Sequence, residues 1–105
     1  TQVILPLIES DFAVFCKELA AGKLAPLEFK KDQTAVCVIL AAENYPDTPV
    51  LGTEIHGEVL SQSPQAYFIH AGTRKIENKW VVAGGRVLGA VGLGTNPKEA
   101  QKNSY

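Results

Sequence analysis

The sequence predicts an α+β chain, with helical segments at its two ends and a small antiparallel β domain of about six short strands between them. Three observations carry this. Apolar residues recur at helical spacing near the start. Residues 27–94 then break into short runs rich in β-branched and aromatic residues, separated by Gly, Pro, Asn and Asp. The chain closes on "NPKEAQKNSY", which has the residue order of a helix start. The division that follows is a helical segment over 1–26 and a β domain with the start of a terminal helix over 27–105.

Each element has its own local cause. Pro6 inside "VILPLI" predicts a short separate helix, because proline removes a backbone donor. "SDFAVFCKELAAGKL" predicts a longer one. Ser10 is its expected N-cap, Asp11 suits the positive first turn, and Phe12, Phe15 and Leu19 repeat at helical spacing. Gly22 is the expected left-handed stop. "LEFKK" and "TAVCVILAA" read as strands, the second buried on both faces because it lacks alternation. "ENYPDTPVLG" reads as an exposed loop, "TEIHG" as a short extended piece and "EVLSQSPQ" as irregular. "AYFIHAGTRKIENKWVV" reads as two strands joined near "EN", and "GGRVLGAVGL" as the last strand. In the terminal helix Asn96 is the N-cap, Pro97 takes the first helical position and Glu99 the third.

Composition narrows the function. A net charge of −1 offers no basic surplus for phosphates, which argues against a nucleic-acid partner. The longest apolar run, residues 35–42, has eight residues, short of the roughly 18 of a membrane span. The chain has no methionine and opens mid-pattern, so it reads as a piece of something longer. Cys16 and Cys37 read as small reduced core residues, which fits a cytoplasmic location.

Candidate chemistry centres on "VVAGGRVLGAVGLG", which holds five of the nine glycines and one charge, Arg86. Gly84 and Gly89 have P-loop spacing, but Ala90 and Val91 stand where a lysine and a hydroxyl are needed. Gly92 and Gly94 begin a dinucleotide pattern, but Pro97 replaces its third glycine. What remains is a glycine pair at a turn, a strand that permits close approach, and an arginine. That arginine can offer a fork of donors to a carboxylate or phosphate, or pair with a local acid. His70 stands at a strand end in "HAGT". Glu54 and His56 share a strand face, too few ligands to define a metal site. Trp80 and Tyr67 read as packing residues.

Three segments together carry a resemblance: "TQVILPLIESD", "AVCVILAAENYP" and "HAGT…GGRVLGAVGLG". In this order and spacing the chain resembles the glycinamide ribonucleotide synthetases, the phosphoribosylamine–glycine ligases of the ATP-grasp superfamily. Two departures stand out. Asn44 replaces a glycine before Tyr-Pro, and "PDTP" replaces a small-residue and tyrosine stretch. Asn tolerates positive φ better than most residues, so the turn can survive.

The resemblance implies an ATP- and magnesium-dependent ligation of glycine to 5-phosphoribosylamine through glycyl phosphate, in purine synthesis. The family's Arg-Phe-Gly-Asp-Pro-Glu signature would lie just before Thr1. Residues 1–26 would then be a helical remnant of the ATP-grasp domain, and the rest the small barrel-sandwich-like C-terminal β domain. ATP and magnesium would bind outside this chain, which alone would be inactive and would need the missing N-terminal and ATP-grasp domains. Carried over to this sequence, Arg86 is the expected ligand for the acceptor's phosphate or a carboxylate, with His70, Thr73 and Gly85 shaping the same wall. Two alternatives stand beside this reading. One is the equivalent domain of another ATP-grasp ligase or carboxylase. The other is a non-catalytic β-sandwich interaction or carrier module, with Lys79 near its hairpin tip but without the residues that flank a carrier lysine.

Overall fold

The computed structural model describes residues 1–57 and 62–105. The expected irregular stretch "EVLSQSPQ" therefore lies partly, at 58–61, outside the described residues.

The N-terminal segment holds a 3-10 turn, Leu5–Leu7, with Pro6 in its first turn. Helix α1, Phe12–Ala20, follows. Its cap is a correction. Asp11, not Ser10, is the N-cap, and its carboxylate accepts from the Val14 N–H at 3.0 Å. Ser10 Oγ instead accepts from the Glu28 N–H at 2.8 Å, so a partner 18 residues away takes the hydroxyl out of the cap. The stop is as expected. Gly22 has φ of 76°, its N–H reaches the Leu19 carbonyl and the Lys23 N–H reaches that of Glu18, the paired bonds of a Schellman end. Asp11→Ala should cost about 1 kcal/mol wherever α1 folding is measured, and Ser10→Ala should leave α1 helicity unchanged by circular dichroism. The reverse order would restore Ser10 as the cap.

The helical spacing is real, but the stripe it makes is not covered within the described chain. Phe12 and Phe15 stack with ring centroids 6.1 Å apart, and Phe12 and Leu19 are each about half exposed. Cys16 is likewise exposed, against the expectation of a core residue, and Cys37 is half-buried; both thiols are free. The segment joins the rest through residues 28–30. Glu9 N–H donates to the Glu28 carbonyl, Lys30 N–H donates to that of Leu7, and Ile8 bridges Phe29. "LEFKK" thus supplies one bridge rather than a strand. The radius of gyration, 16.6 Å, exceeds the ~13 Å of a compact domain of this length.

The β domain has two antiparallel sheets. The first has the order β1-β5-β2, with β1 at Thr34–Ala41, β2 at Ala66–His70 and β5 at Arg86–Gly94. The second pairs β3, Thr73–Ile76, with β4, Lys79–Val82. Five strands are therefore described, "TEIHG" contributing only the Glu54–Val81 bridge. The "EN" turn is present, with Glu77 and Asn78 both at positive φ as a tight mirror-image hairpin turn needs. The strand expected before it divides at Ala71 and Gly72, and its halves join different sheets.

The strand buried along its length, from Val87 to Leu93, is β5, not β1 as expected. It lies between two partners, and Val91 is 1% exposed. β1 has one described neighbour, so its end, with Ile39 and Leu40, stays exposed. Helix α2, Pro97–Ser104, packs against β5 and β1. Asn96 Oδ1 accepts from the Glu99 N–H at 3.0 Å, as expected. Glu99 Oε2 in turn accepts from the Thr95 N–H at 2.8 Å and from its hydroxyl, bonds that hold this carboxyl below the usual glutamate range. That contribution is complete above the ordinary glutamate pKa and is lost as pH falls through the lowered one. Ala100 is wholly buried, resting where β5 has glycines. A Cβ on Gly92 would overlap the Ala100 carbonyl oxygen and the Ser104 nitrogen, and one on Gly94 would lie 2.6 Å from the Ala100 nitrogen. These two glycines let a helix backbone lie directly on a strand.

Candidate functional site

Gly89 has a different surrounding. The register sets Ile39, Gly89 and Ile69 side by side across β1, β5 and β2. A Cβ on Gly89 would meet only side chains, Cys37 Sγ at 3.1 Å and Ile39 Cδ1 at 3.7 Å. Above it is a cavity of about 370 Å³, with Ile39, Ile69 and Leu88 among its aliphatic walls. Gly72, Gly85 and Arg86 line one end, and Gln2 reaches it from the N-terminal segment. This volume is within the small-molecule range. Burial pushes the neighbouring Cys37 thiol pKa up, so it is held as an uncharged, weakly nucleophilic group.

Among the described residues, Arg86 is the one charged residue lining this cavity. The described ion pairs involve Glu54, with Lys79 at 3.1 Å and His56 at 3.8 Å. Among the described residues no carboxylate pairs with Arg86, so the local-acid alternative finds no partner there. A guanidinium on the wall of this cavity can receive one anionic group through its fork of donors. A more open depression of about 830 Å³ lies among Glu9, Glu28, Lys30 and Lys31. Its mixed charges cancel, so it makes a poorer receptor for an ion of either sign.

The turn carrying Arg86 is tightly held. Gly85 C=O accepts from the Ala42 N–H at 2.8 Å. A Cβ on Gly85 would lie 2.9 Å from Tyr45 Cε2 and 3.3 Å from Pro49 Cγ, so the loop over 43–52 packs on this glycine. Asn44 within that loop has φ of 66°, the conformation that asparagine tolerates.

Of the four expected site residues, Arg86 and Gly85 lie together on the cavity and His70 and Thr73 do not line it. The last two meet each other instead, with His70 Nδ1 2.9 Å from Thr73 Oγ1, and the His70 ring packs 4.4 Å from that of Trp80. Ile39, Ile69 and Gly72 are lining residues that sequence reasoning misses; strand register brings the two isoleucines beside Gly89, and the Gly72 N–H bond to the Arg86 carbonyl at 2.8 Å brings Gly72 there. Lys79 is engaged by Glu54 Oε2 at 3.1 Å beside the hairpin turn.

Among the described residues no group of three His, Cys, Asp or Glu side chains is arranged for a metal, and Gly92 and Gly94 face α2 while Gly89 faces side chains of β1 and β2. Among the described residues no helix is long and apolar enough to cross a membrane.

Comparison with known proteins places this architecture. Residues 35–105 match the model of the family described as phosphoribosylglycinamide synthetase, C domain. The phosphoribosylamine–glycine ligase of Caldanaerobacter subterraneus subsp. tengcongensis is 42% identical over 106 residues, covering 100% of this chain and 25% of the relative. That of Streptomyces coelicolor is 42% identical over 110 residues, with 100% and 26% covered. The crystal structure of the Thermotoga maritima phosphoribosylamine–glycine ligase superposes with a TM-score of 0.79 at 34% identity, covering 98% of this chain and 25% of that one. The chain spans about a quarter of the length of the curated relatives it matches. A helical segment, two antiparallel sheets and a capping helix, matched in sequence and in structure, make this chain a member of the phosphoribosylglycinamide synthetase C-domain family.

Proposed function

We propose that this chain is the C-terminal part of an ATP-dependent ligase that joins glycine to 5-phosphoribosylamine to give glycinamide ribonucleotide, and that its cavity forms the acceptor-side wall of the active site. The observation that carries this is Arg86, without a described carboxylate partner, on a cavity in a chain similar to phosphoribosylamine–glycine ligases along its whole length. Arg86 binds the acceptor's phosphate or a substrate carboxylate, and Gly85 sets its backbone under Tyr45. The nucleotide and its magnesium belong to the part of the relatives that this chain does not span. The reaction is cytoplasmic. Residues 1–26 pack with that other part and residues 27–105 form the C-terminal domain. The exposed stripe of α1 supports this division.

A chimera tests it. The first three-quarters of the Caldanaerobacter ligase, joined to this chain, should convert glycine, phosphoribosylamine and ATP to glycinamide ribonucleotide, whereas the 105-residue chain alone should neither do so nor bind Mg-ATP by calorimetry. A folded chimera that binds ATP but forms no product would sink the reading, and so would saturable ATP binding by the chain alone.

A further inference from the structure

His70 and Thr73 sit on either side of a two-residue corner, Ala71 and Gly72, where the chain leaves one sheet for the other. That corner lies flush against the start of β5. Ala71 N–H donates to the Val87 carbonyl at 3.0 Å and Gly72 N–H to the Arg86 carbonyl at 2.8 Å. The Gly72 carbonyl accepts from the Ala83 N–H at 2.8 Å. A Cβ on Gly72 would lie 2.7 Å from both the Arg86 oxygen and Gly84 Cα. The backbone of Arg86 is therefore placed by the corner, and the two side chains that close the corner are His70 and Thr73. The Trp80 ring, tilted 37° to the imidazole, supports it from β4.

His70 Nε2 is buried with no partner among the described residues, so the bond between Nδ1 and Thr73 Oγ1 is the ring's one described side-chain hydrogen bond. We propose that the His70–Thr73 hydrogen bond is a clasp that positions Arg86 through the Ala71 and Gly72 corner, and that neither side chain contacts substrate. This rests on the reading of Arg86 given above. Without the bond the corner is held by backbone contacts alone, and a small displacement of the guanidinium weakens a directional two-point contact.

In the complete ligase polypeptide carrying this chain, Thr73→Val should raise the phosphoribosylamine KM about three- to tenfold, the range of one lost hydrogen bond. The ATP KM should stay unchanged. Thr73→Ser, which keeps the hydroxyl, should show little of this rise, and His70→Asn, which keeps a hydrogen-bonding group near Nδ1, should lose less than His70→Ala. The deciding measurement is the pair with Arg86→Ala. In that background Thr73→Val should have no further effect, because the clasp acts through the arginine. An undiminished effect there means direct substrate contact and overturns the clasp, as does a Thr73→Val enzyme with wild-type kinetics or one altered only in melting temperature. A silent Arg86→Ala instead overturns the reading of Arg86 itself, which separates the two failures.

Discussion

Ala100→Leu should loosen α2 from β5 and lower stability by about 2–3 kcal/mol, the upper part of the usual range for overpacking. Ala100 is 0% exposed, and the backbone opposite it is reduced to Gly92 and Gly94. The added carbons have no free volume, because even one Cβ on Gly92 would overlap the helix backbone. Relaxation must therefore move the whole helix and uncover Ala90, on the same strand face as Gly92 and now 8% exposed. Gly92→Ala should act in the same direction through the same contact. Gln101→Leu, on the exposed side of α2, should stay within about 0.5 kcal/mol of wild type. Urea unfolding followed by circular dichroism checks all three, and the Ala100→Leu midpoint in a thermal scan should fall by about 10 °C or more. A wild-type midpoint for Ala100→Leu, or equal losses for Ala100→Leu and Gln101→Leu, would mean that α2 is not seated on this strand.

Arg86→Ala, in the complete ligase polypeptide, should reduce kcat/KM for the acceptor about ten- to a hundredfold. That is the effect of losing a charge-assisted contact of roughly 1.5–3 kcal/mol. Arg86→Lys should recover only part of it, because lysine keeps the charge but not the planar fork. The loss should fall on the phosphoribosylamine or glycine KM and leave that of ATP alone. Stability should change little, because Arg86 is exposed and has no ion-pair partner among the described residues. Steady-state kinetics with each substrate varied in turn is the check. A selective rise in the ATP KM would put the strand beside the nucleotide, and early melting with normal kinetics would make Arg86 structural.

Much of the fold was legible because its causes are local. The Gly22 stop, the hairpin at Glu77 and Asn78, and the Asn96–Pro97–Glu99 start of α2 each depend on residues within one turn of each other. Arg86 was legible as a candidate for the same reason, being one charge beside a glycine pair in an apolar run. Ser10 shows where locality ends. It has the right side chain for a cap, but Glu28 takes it, and Asp11 takes the cap. The errors over β1 and β5 have one origin. Both strands are apolar runs without clean alternation, and burial goes to whichever is flanked on both sides, which is set by pairing between segments about 20 (β2 with β5) and about 50 (β1 with β5) residues apart.

The sequence by itself thus determined the α+β class, the capped ends, the failure of the glycines as phosphate loops and the isolation of Arg86, all consequences of residue chemistry over a few positions. The tertiary structure alone decided that α2 fills Gly92 and Gly94 while Gly89 floors a trench between Ile39 and Ile69, and that His70 and Thr73 bind each other away from it. Those outcomes depend on strand register, and a shift of one residue would turn every side chain to the opposite face.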